Sequence, residues 1–221
     1  MSTATSYSPT TDEIKKLREE TTAPMMDCRK VLIESHGDFE KAKTLLRERG
    51  AAKAGEKEER KAEQGLVASY IHAGGKIGVL LELNCESDFV ARTEDFQELL
   101  KDVAMHIAAV DPRYVAKDEV TAADLDREKD IYRAQGIASG KPEAIVEKML
   151  AGKLSKFYEE FCLLEQPFIK DQALTIGQLI AQKIAKLGEN ISVRRFARFK
   201  IGETNSTLAT AKVSTPEEAA A

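Results

Sequence analysis

The feature that most constrains this chain is a pair of apolar runs on either side of Gly74-Gly75, within LVASYIHAGGKIGVLLELNCESDF. Two glycines between β-rich runs mark a tight hairpin. With Ala73 opposite Lys76, Leu66, Ala68 and Tyr70 pair with Leu83, Leu81 and Val79. All six then share one sheet face, while Val67, Ser69 and Ile71 share the other with Leu80 and Glu82. Side chains alternate along a strand, so this register yields one clean apolar face. The closing segment ENISVRRFARFKIG alternates Ile191, Val193, Ala197, Phe199 and Ile201 with polar residues, apart from Phe196. It reads as a half-buried third strand of an antiparallel sheet covered by helices, an α+β core over residues 66–202.

The covering helices show in the 3.6-residue period. Phe96, Leu99, Val103 and Ile107 form one stripe over 94–110, stopped at Asp111-Pro112. A second helix covers 122–135 and ends near Gly136. A helical region opens at Lys141-Pro142-Glu143 and reaches about residue 164, with a break at Gly152. Ile176, Ile180, Ile184 and Leu187 form the last stripe, stopped by Gly188. The segment PFIKDQ receives no assignment.

Ahead of the core, residues 12–50 read as three short helices. Ile14 and Leu17 share a face in the first, and Pro24 is placed at the start of the second. Met25, Cys28 and Leu32 form the stripe of that second helix. Gly37-Asp38 is a stop followed by an N-cap, and Phe39, Ala42, Leu45 and Leu46 turn inward before Gly50 ends the third helix. Residues 51–65, AAKAGEKEERKAEQG, hold no large apolar residue and read as a charged, solvated connector of helical composition. Residues 1–11 read as a frayed end, and 203–221 as a disordered acidic tail.

Composition excludes several classes. With 33 basic against 37 acidic residues, the net charge of −4 argues against bulk neutralisation of nucleic-acid phosphates. No apolar run is long enough to span a membrane, and the N-terminus lacks the pattern of a secretory signal. Three separated cysteines fit a reducing compartment, and Cys85 and Cys162 read as buried small hydrophobes. The phosphate-loop, dinucleotide, zinc-protease and serine-hydrolase motifs are absent. His36, His72 and His106 fall in three different elements, which disfavours a zinc site. His72 shares the hairpin face of Leu66 and Tyr70 and reads as structural.

Two segments suit neither core nor plain surface. Met25 and Met26 are adjacent in a helix, so both cannot face the core; the pair is either a wide apolar face or an adaptable contact surface. At Ser87-Asp88-Phe89 a strand gives way to a helix start with a large aromatic at the sheet rim. Phe89 is either a hydrophobic staple for that helix or a wedge for a partner.

Longer motifs point to a family. They are Ile14-Lys15-Lys16-Leu17-Arg18-Glu19, Met25-Met26-Asp27-Cys28-Arg29-Lys30, Leu46-Arg47-Glu48-Arg49-Gly50 and Leu83-Asn84-Cys85-Glu86-Ser87-Asp88-Phe89-Val90-Ala91-Arg92. Pro112-Arg113-Tyr114-Val115, Leu163-Leu164-Glu165-Gln166-Pro167-Phe168-Ile169-Lys170-Asp171 and Gly188-Glu189-Asn190-Ile191 follow in order. Together they resemble the short bacterial or organellar form of the translation elongation factor Ts family over about residues 12–202. Ser87 stands where a family member usually has threonine, and Thr22 and Pro24 where glycines are frequent.

The resemblance implies a guanine-nucleotide exchange factor for elongation factor Tu, in its GDP-bound and nucleotide-free states. It implies an N-terminal module like a ubiquitin-associated fold, contacting the partner through Leu17, Met25 and Met26, with Asp27 and Arg29 nearer the rim. Asp88, Phe89 and Val90 of the core would face the partner's nucleotide domain. Asp88 would hold the turn by accepting backbone N–H groups, while Phe89 inserts and displaces the elements that hold magnesium and phosphates. No catalytic residue, cofactor or metal of the chain's own is called for, and no direct nucleic acid or membrane contact. The setting is bacterial cytoplasm, or an organellar matrix or stroma. A homodimer is also expected from the closing strand, where Phe196 and Phe199 lie on opposite faces, one aromatic buried in the core and one against a twin subunit. The competing reading is a non-catalytic adaptor built on a ubiquitin-associated-like module.

Overall fold

The computed structural model describes residues 7–21, 23–140 and 142–203. Thr22 and the tail residues 204–221 lie outside the described residues. The chain opens with α1 (Thr11–Thr21), α2 (Met25–Glu34) and α3 (Phe39–Glu58). Leu17, Cys28, Val31, Leu32 and Ala42 form the buried centre of this helical group. Residues 7–10, expected to fray, are tied down. Thr10 and Glu13 cap α1 reciprocally, and the Tyr7 hydroxyl donates to Glu13 at 2.9 Å. The Tyr7 ring lies where a Cβ on Gly37 would stand, 2.7 Å away, so the left-handed turn at φ 85° needs glycine twice over. Pro24 occupies the N-cap of α2 at φ −57°, one position earlier than expected and at no cost to the backbone. Asp38 caps α3 by accepting from the Lys41 N–H at 3.0 Å.

The first correction concerns Gly50. It does not end α3, which continues through the charged stretch to Glu58. A glycine weakens a helix by about 1 kcal/mol relative to alanine. Here tertiary packing offsets that cost: Gly50 lies beside Ala185, which a Cβ would meet at an ordinary contact distance of 3.6 Å, and Ala54 is buried in the main core. The second half of α3 is therefore part of the core's cover.

The core sheet comprises β1 (Gln64–Ile71), β2 (Ile77–Cys85) and a later strand, β5 (Ile191–Lys200), all antiparallel with β2 central. The hairpin register is the expected one, with Leu66, Ala68 and Tyr70 opposite Leu83, Leu81 and Val79. Between the strands lie α4 (Asp88–Ala91), α5 (Glu94–Val110), α6 (Ala122–Ala138), α7 (Glu143–Phe161), a small hairpin of β3 (Pro167–Phe168) and β4 (Asp171–Thr175), and α8 (Ile176–Leu187). The buried stripes of α5 and α8 meet Val79, Leu81, Leu83, Cys85, Ile191 and Val193 in one core.

In β5 the simple alternation fails. The pairing jumps from Leu83↔Val193 to Glu82↔Arg195, leaving Arg194 as an extra residue. Such a bulge reverses which residues point inward beyond it. Ile191 and Val193 therefore face the core, but Ala197 and Phe199 pair with Leu80 and Gly78 on the outer face. Phe196, opposite Leu81, is the inward aromatic.

Two further helix boundaries differ. Gly136 lies within α6 and Gly152 within α7. A Cβ at Gly136 would come within 2.8 Å of both methyl groups of Val146, so that glycine lets α6 approach α7. At Gly152 there is open space, and the helix simply bears the weak propensity.

His106 is fully buried on α5. Its Nε2 meets Gln166 Oε1 at 3.0 Å, while the Gln166 amide donates to the Glu160 carbonyl at 2.6 Å. That orientation makes Nε2 the protonated nitrogen and leaves Nδ1 bare. Protonation would put an unpartnered charge in the core, so burial holds the imidazole below its ordinary range. The unfolded chain then binds the extra proton more readily than the folded one. The contribution of His106 is present above the unfolded value of about 6.5 and lost as pH falls through it toward the folded value. Urea midpoints measured from about pH 7.5 down to about pH 5.5 should fall, and the fall should be smaller in His106→Gln.

Candidate partner-binding site

The chain's most exposed large aromatic stands on a structure built to present it. β2 ends at buried Cys85, whose thiol donates to the Ser87 carbonyl at 3.1 Å. Ser87 is extended at φ −131°, ψ 153°, and its hydroxyl accepts from the Val90 N–H at 3.4 Å. The single turn of α4 follows. Val90 and Ala91 point into the core, so Asp88 and Phe89 point out. Thr93 closes the turn by donating to the Val90 carbonyl at 2.8 Å and then caps α5 through the Phe96 N–H.

Phe89 is 85% exposed. That overturns the staple reading, because a staple must pack on its own helix. Full burial of such a side chain is worth about 1.5–3 kcal/mol, and here nearly all of it is left unused within the chain. Asp88 also differs from expectation. The cap is Ser87, and the Asp88 carboxylate pairs with the Arg92 guanidinium one turn on. Val90 is buried, so it anchors the tip and presents no contact surface.

Bonds between segments far apart in sequence add what local sequence patterns do not reveal. The Ser87 N–H and hydroxyl both donate to the Glu189 carboxylate, at 2.9 Å and 2.5 Å. The run Gly188-Glu189-Asn190 is one of the family-like motifs, but nothing local in it points to Ser87.

On α2, Met25 is 40% and Met26 59% exposed. Cys28, Val31 and Leu32 supply the core stripe, and Met25, at the first helical position, falls outside it. Arg29 is exposed and Asp27 half-buried beside them. Leu17 is fully buried, so its place is inside the module rather than on a contact surface.

A second apolar surface covers the outer face of the sheet. Val67, Ile71, Leu80, Phe199 and Ile201 are all exposed there. Its polar end is the Glu82–Arg195 ion pair at 2.7 Å.

All three thiols are buried; burial pushes Cys162 up to about 11 and raises Cys28 and Cys85, which suppresses the reactive thiolate. Among the described residues no group of three His, Cys, Asp or Glu side chains can hold a metal ion. His72 is exposed at the hairpin end, its Nδ1 3.1 Å from the Tyr70 hydroxyl. Among the described residues no helix is long and apolar enough to cross a membrane.

Known proteins match this chain in sequence over most of its length. The sequence model of the family described as Elongation factor TS matches residues 38–203. The chain is similar to Elongation factor Ts of Koribacter versatilis, 59% identical over 209 residues, covering 95% of each chain. It is similar to Elongation factor Ts of Solibacter usitatus, 56% identical over 88% of this chain and 92% of that one. It is similar also to Elongation factor Ts of Fervidobacterium nodosum, 57% identical over 86% of this chain and 96% of the relative.

Because Phe89 makes so little use of the core, Phe89→Ala should change the unfolding free energy by no more than about 0.5 kcal/mol in urea denaturation. A loss of about 3 kcal/mol or more would restore the staple reading.

Proposed function

The chain belongs to the elongation factor Ts family, and from that premise we propose how its surfaces serve guanine-nucleotide exchange on elongation factor Tu. The family acts in translation elongation by protein–protein contact, without covalent chemistry of its own. The single observation that carries our reading is the outward, 85% exposed Phe89 on a rigidly anchored turn. An aromatic held this way is already oriented for insertion, so little conformational entropy is lost on docking.

In this reading Phe89 enters the nucleotide domain of elongation factor Tu and displaces the elements that hold magnesium and the phosphates. Magnesium tolerates little departure from octahedral geometry, so a small shift suffices to loosen the phosphate end. The helices over residues 12–50 act as a ubiquitin-associated-like module that grips the same partner. Met25 and Met26 supply adaptable apolar contact, with Asp27 and Arg29 at the rim. Leu17 and Val90 act from inside, by holding those surfaces in place. The factor engages both GDP-bound and nucleotide-free partner, and weakens nucleotide binding by preferring the empty form. We place this action in the cytoplasm. The adaptor alternative would need neither Phe89 nor any effect on nucleotide release.

The outer sheet face supports a homodimer. Residues on one exposed face can meet their own copies across a two-fold axis, and Phe199 sits within that face. Sedimentation should show a species of twice 24.4 kDa that Phe199→Glu converts to monomer. A wild-type chain that stays at the smaller mass at micromolar concentration contradicts the dimer.

The exchange reading is tested by release of labelled GDP from elongation factor Tu. Wild-type protein should accelerate release, and folded Phe89→Ala should lower the saturating rate by about tenfold or more. Met26→Ala should instead raise the concentration needed for half-saturation by about 5- to 30-fold, the equivalent of about 1–2 kcal/mol. Normal exchange by folded Phe89→Ala contradicts the reading.

A further inference from the structure

We propose that Glu189 is a positioning residue for exchange, holding the Phe89 turn in its working orientation from across the fold. The inference rests on the reading of Phe89 given above. A helix of one turn does not hold itself, because fixing its first residues costs more than its few hydrogen bonds return. The local cap is weak, with Ser87 Oγ 3.4 Å from the Val90 N–H. The strong restraint comes from far away in sequence. Glu189 takes both the N–H and the hydroxyl of Ser87, at 2.9 Å and 2.5 Å, on the residue two before Phe89. Hydrogen bonds to an ionised acceptor are about twice as strong as neutral ones.

Glu189 is itself fixed on both sides. Gly188 before it adopts φ 84° as the left-handed end of α8. Asn190 after it is buried, and its N–H donates to the Glu86 carboxylate at 2.6 Å. The two segments therefore grip each other reciprocally: Glu189 takes Ser87, and Glu86 takes Asn190. The Asn190 amide reaches further, donating to the carbonyls of Glu58 and Arg60 at 3.3 Å and 2.8 Å. Glu58 is the last residue of α3, the helix whose first half packs in the N-terminal module. This corner thus bonds both to the Phe89 turn and to the end of the helix leading from the methionine-bearing group. Removing the Glu189 carboxylate would leave Phe89 present but no longer aimed.

The test measures saturating GDP release from elongation factor Tu, its half-saturating concentration, and a urea melt for each variant. Glu189→Ala should lower the saturating rate about tenfold, with half-saturation changed less than about threefold and the protein still folded. Glu189→Gln keeps one of the two acceptor oxygens that Ser87 uses, without the charge, and should recover only part of that rate. In the Phe89→Ala background, Glu189→Ala should have no further effect, because it acts only through that ring. Wild-type rates in Glu189→Ala, alongside a slow Phe89→Ala, would overturn this inference and leave the Phe89 reading standing. Losses that multiply in the double variant would also overturn it. Normal exchange by Phe89→Ala would remove the reading beneath it. Should Glu189→Ala fail to fold, Glu189→Gln and Ser87→Ala carry the test, and wild-type rates in both would overturn the proposal.

Discussion

Pairing of β1 with β2 in one register is the constraint from which the rest of the molecule follows. It turns Val79, Leu81, Leu83 and Cys85 together toward α5 and α8. A slip by one residue would send that set to the outer face and bring Leu80 and Glu82 inward. Burying Glu82 without a partner would be costly, so the register is held by penalty as well as by reward. The same pairing fixes where β2 stops. Cys85 is its last inward residue, and the chain must turn at once through Ser87 into α4. The exposed aromatic at the sheet rim is therefore placed by core packing, several residues away from any surface requirement.

The second organising element is α3. It lies on α8 with Gly50 beside Ala185 and Ala54 buried in the core, so the charged stretch after Gly50 is helix down to Glu58. A solvated linker would let the N-terminal helices wander and would dilute their contribution to a shared partner. A continuous helix bonded at its end to Asn190 keeps them in register with the core. The proposed two-point grip on elongation factor Tu depends on that stiffness.

Much of this was legible in the sequence. The hairpin register, the inward stripes of α5 and α8 and the Asp38 cap all come from local periodicity and cap chemistry, which the final packing happens to obey. What escaped was set by contacts distant in sequence. Gly50, Gly136 and Gly152 read locally as breakers, but Gly136 is needed for the close approach of Val146, the burial of Ala54 carries α3 past Gly50, and Gly152 is tolerated at an exposed position. The bulge at Arg194 is invisible to a strict two-residue alternation. Ser87 outcompetes Asp88 as the cap because its hydroxyl is also a donor, and can bond Glu189 while accepting from Val90. The partner of that donor lies 102 positions away, beyond the reach of any local pattern.

In the proposed function this chain acts by coupled binding: its surface fits empty elongation factor Tu better than the loaded form. Linkage requires the two preferences to be equal in size. The direct measurement is the affinity of the protein for nucleotide-free and for GDP-loaded elongation factor Tu, by titration calorimetry. Tighter binding to the empty form is predicted, by the same factor by which the protein weakens GDP. Equal affinity for the two forms would contradict the account, however tight the complex.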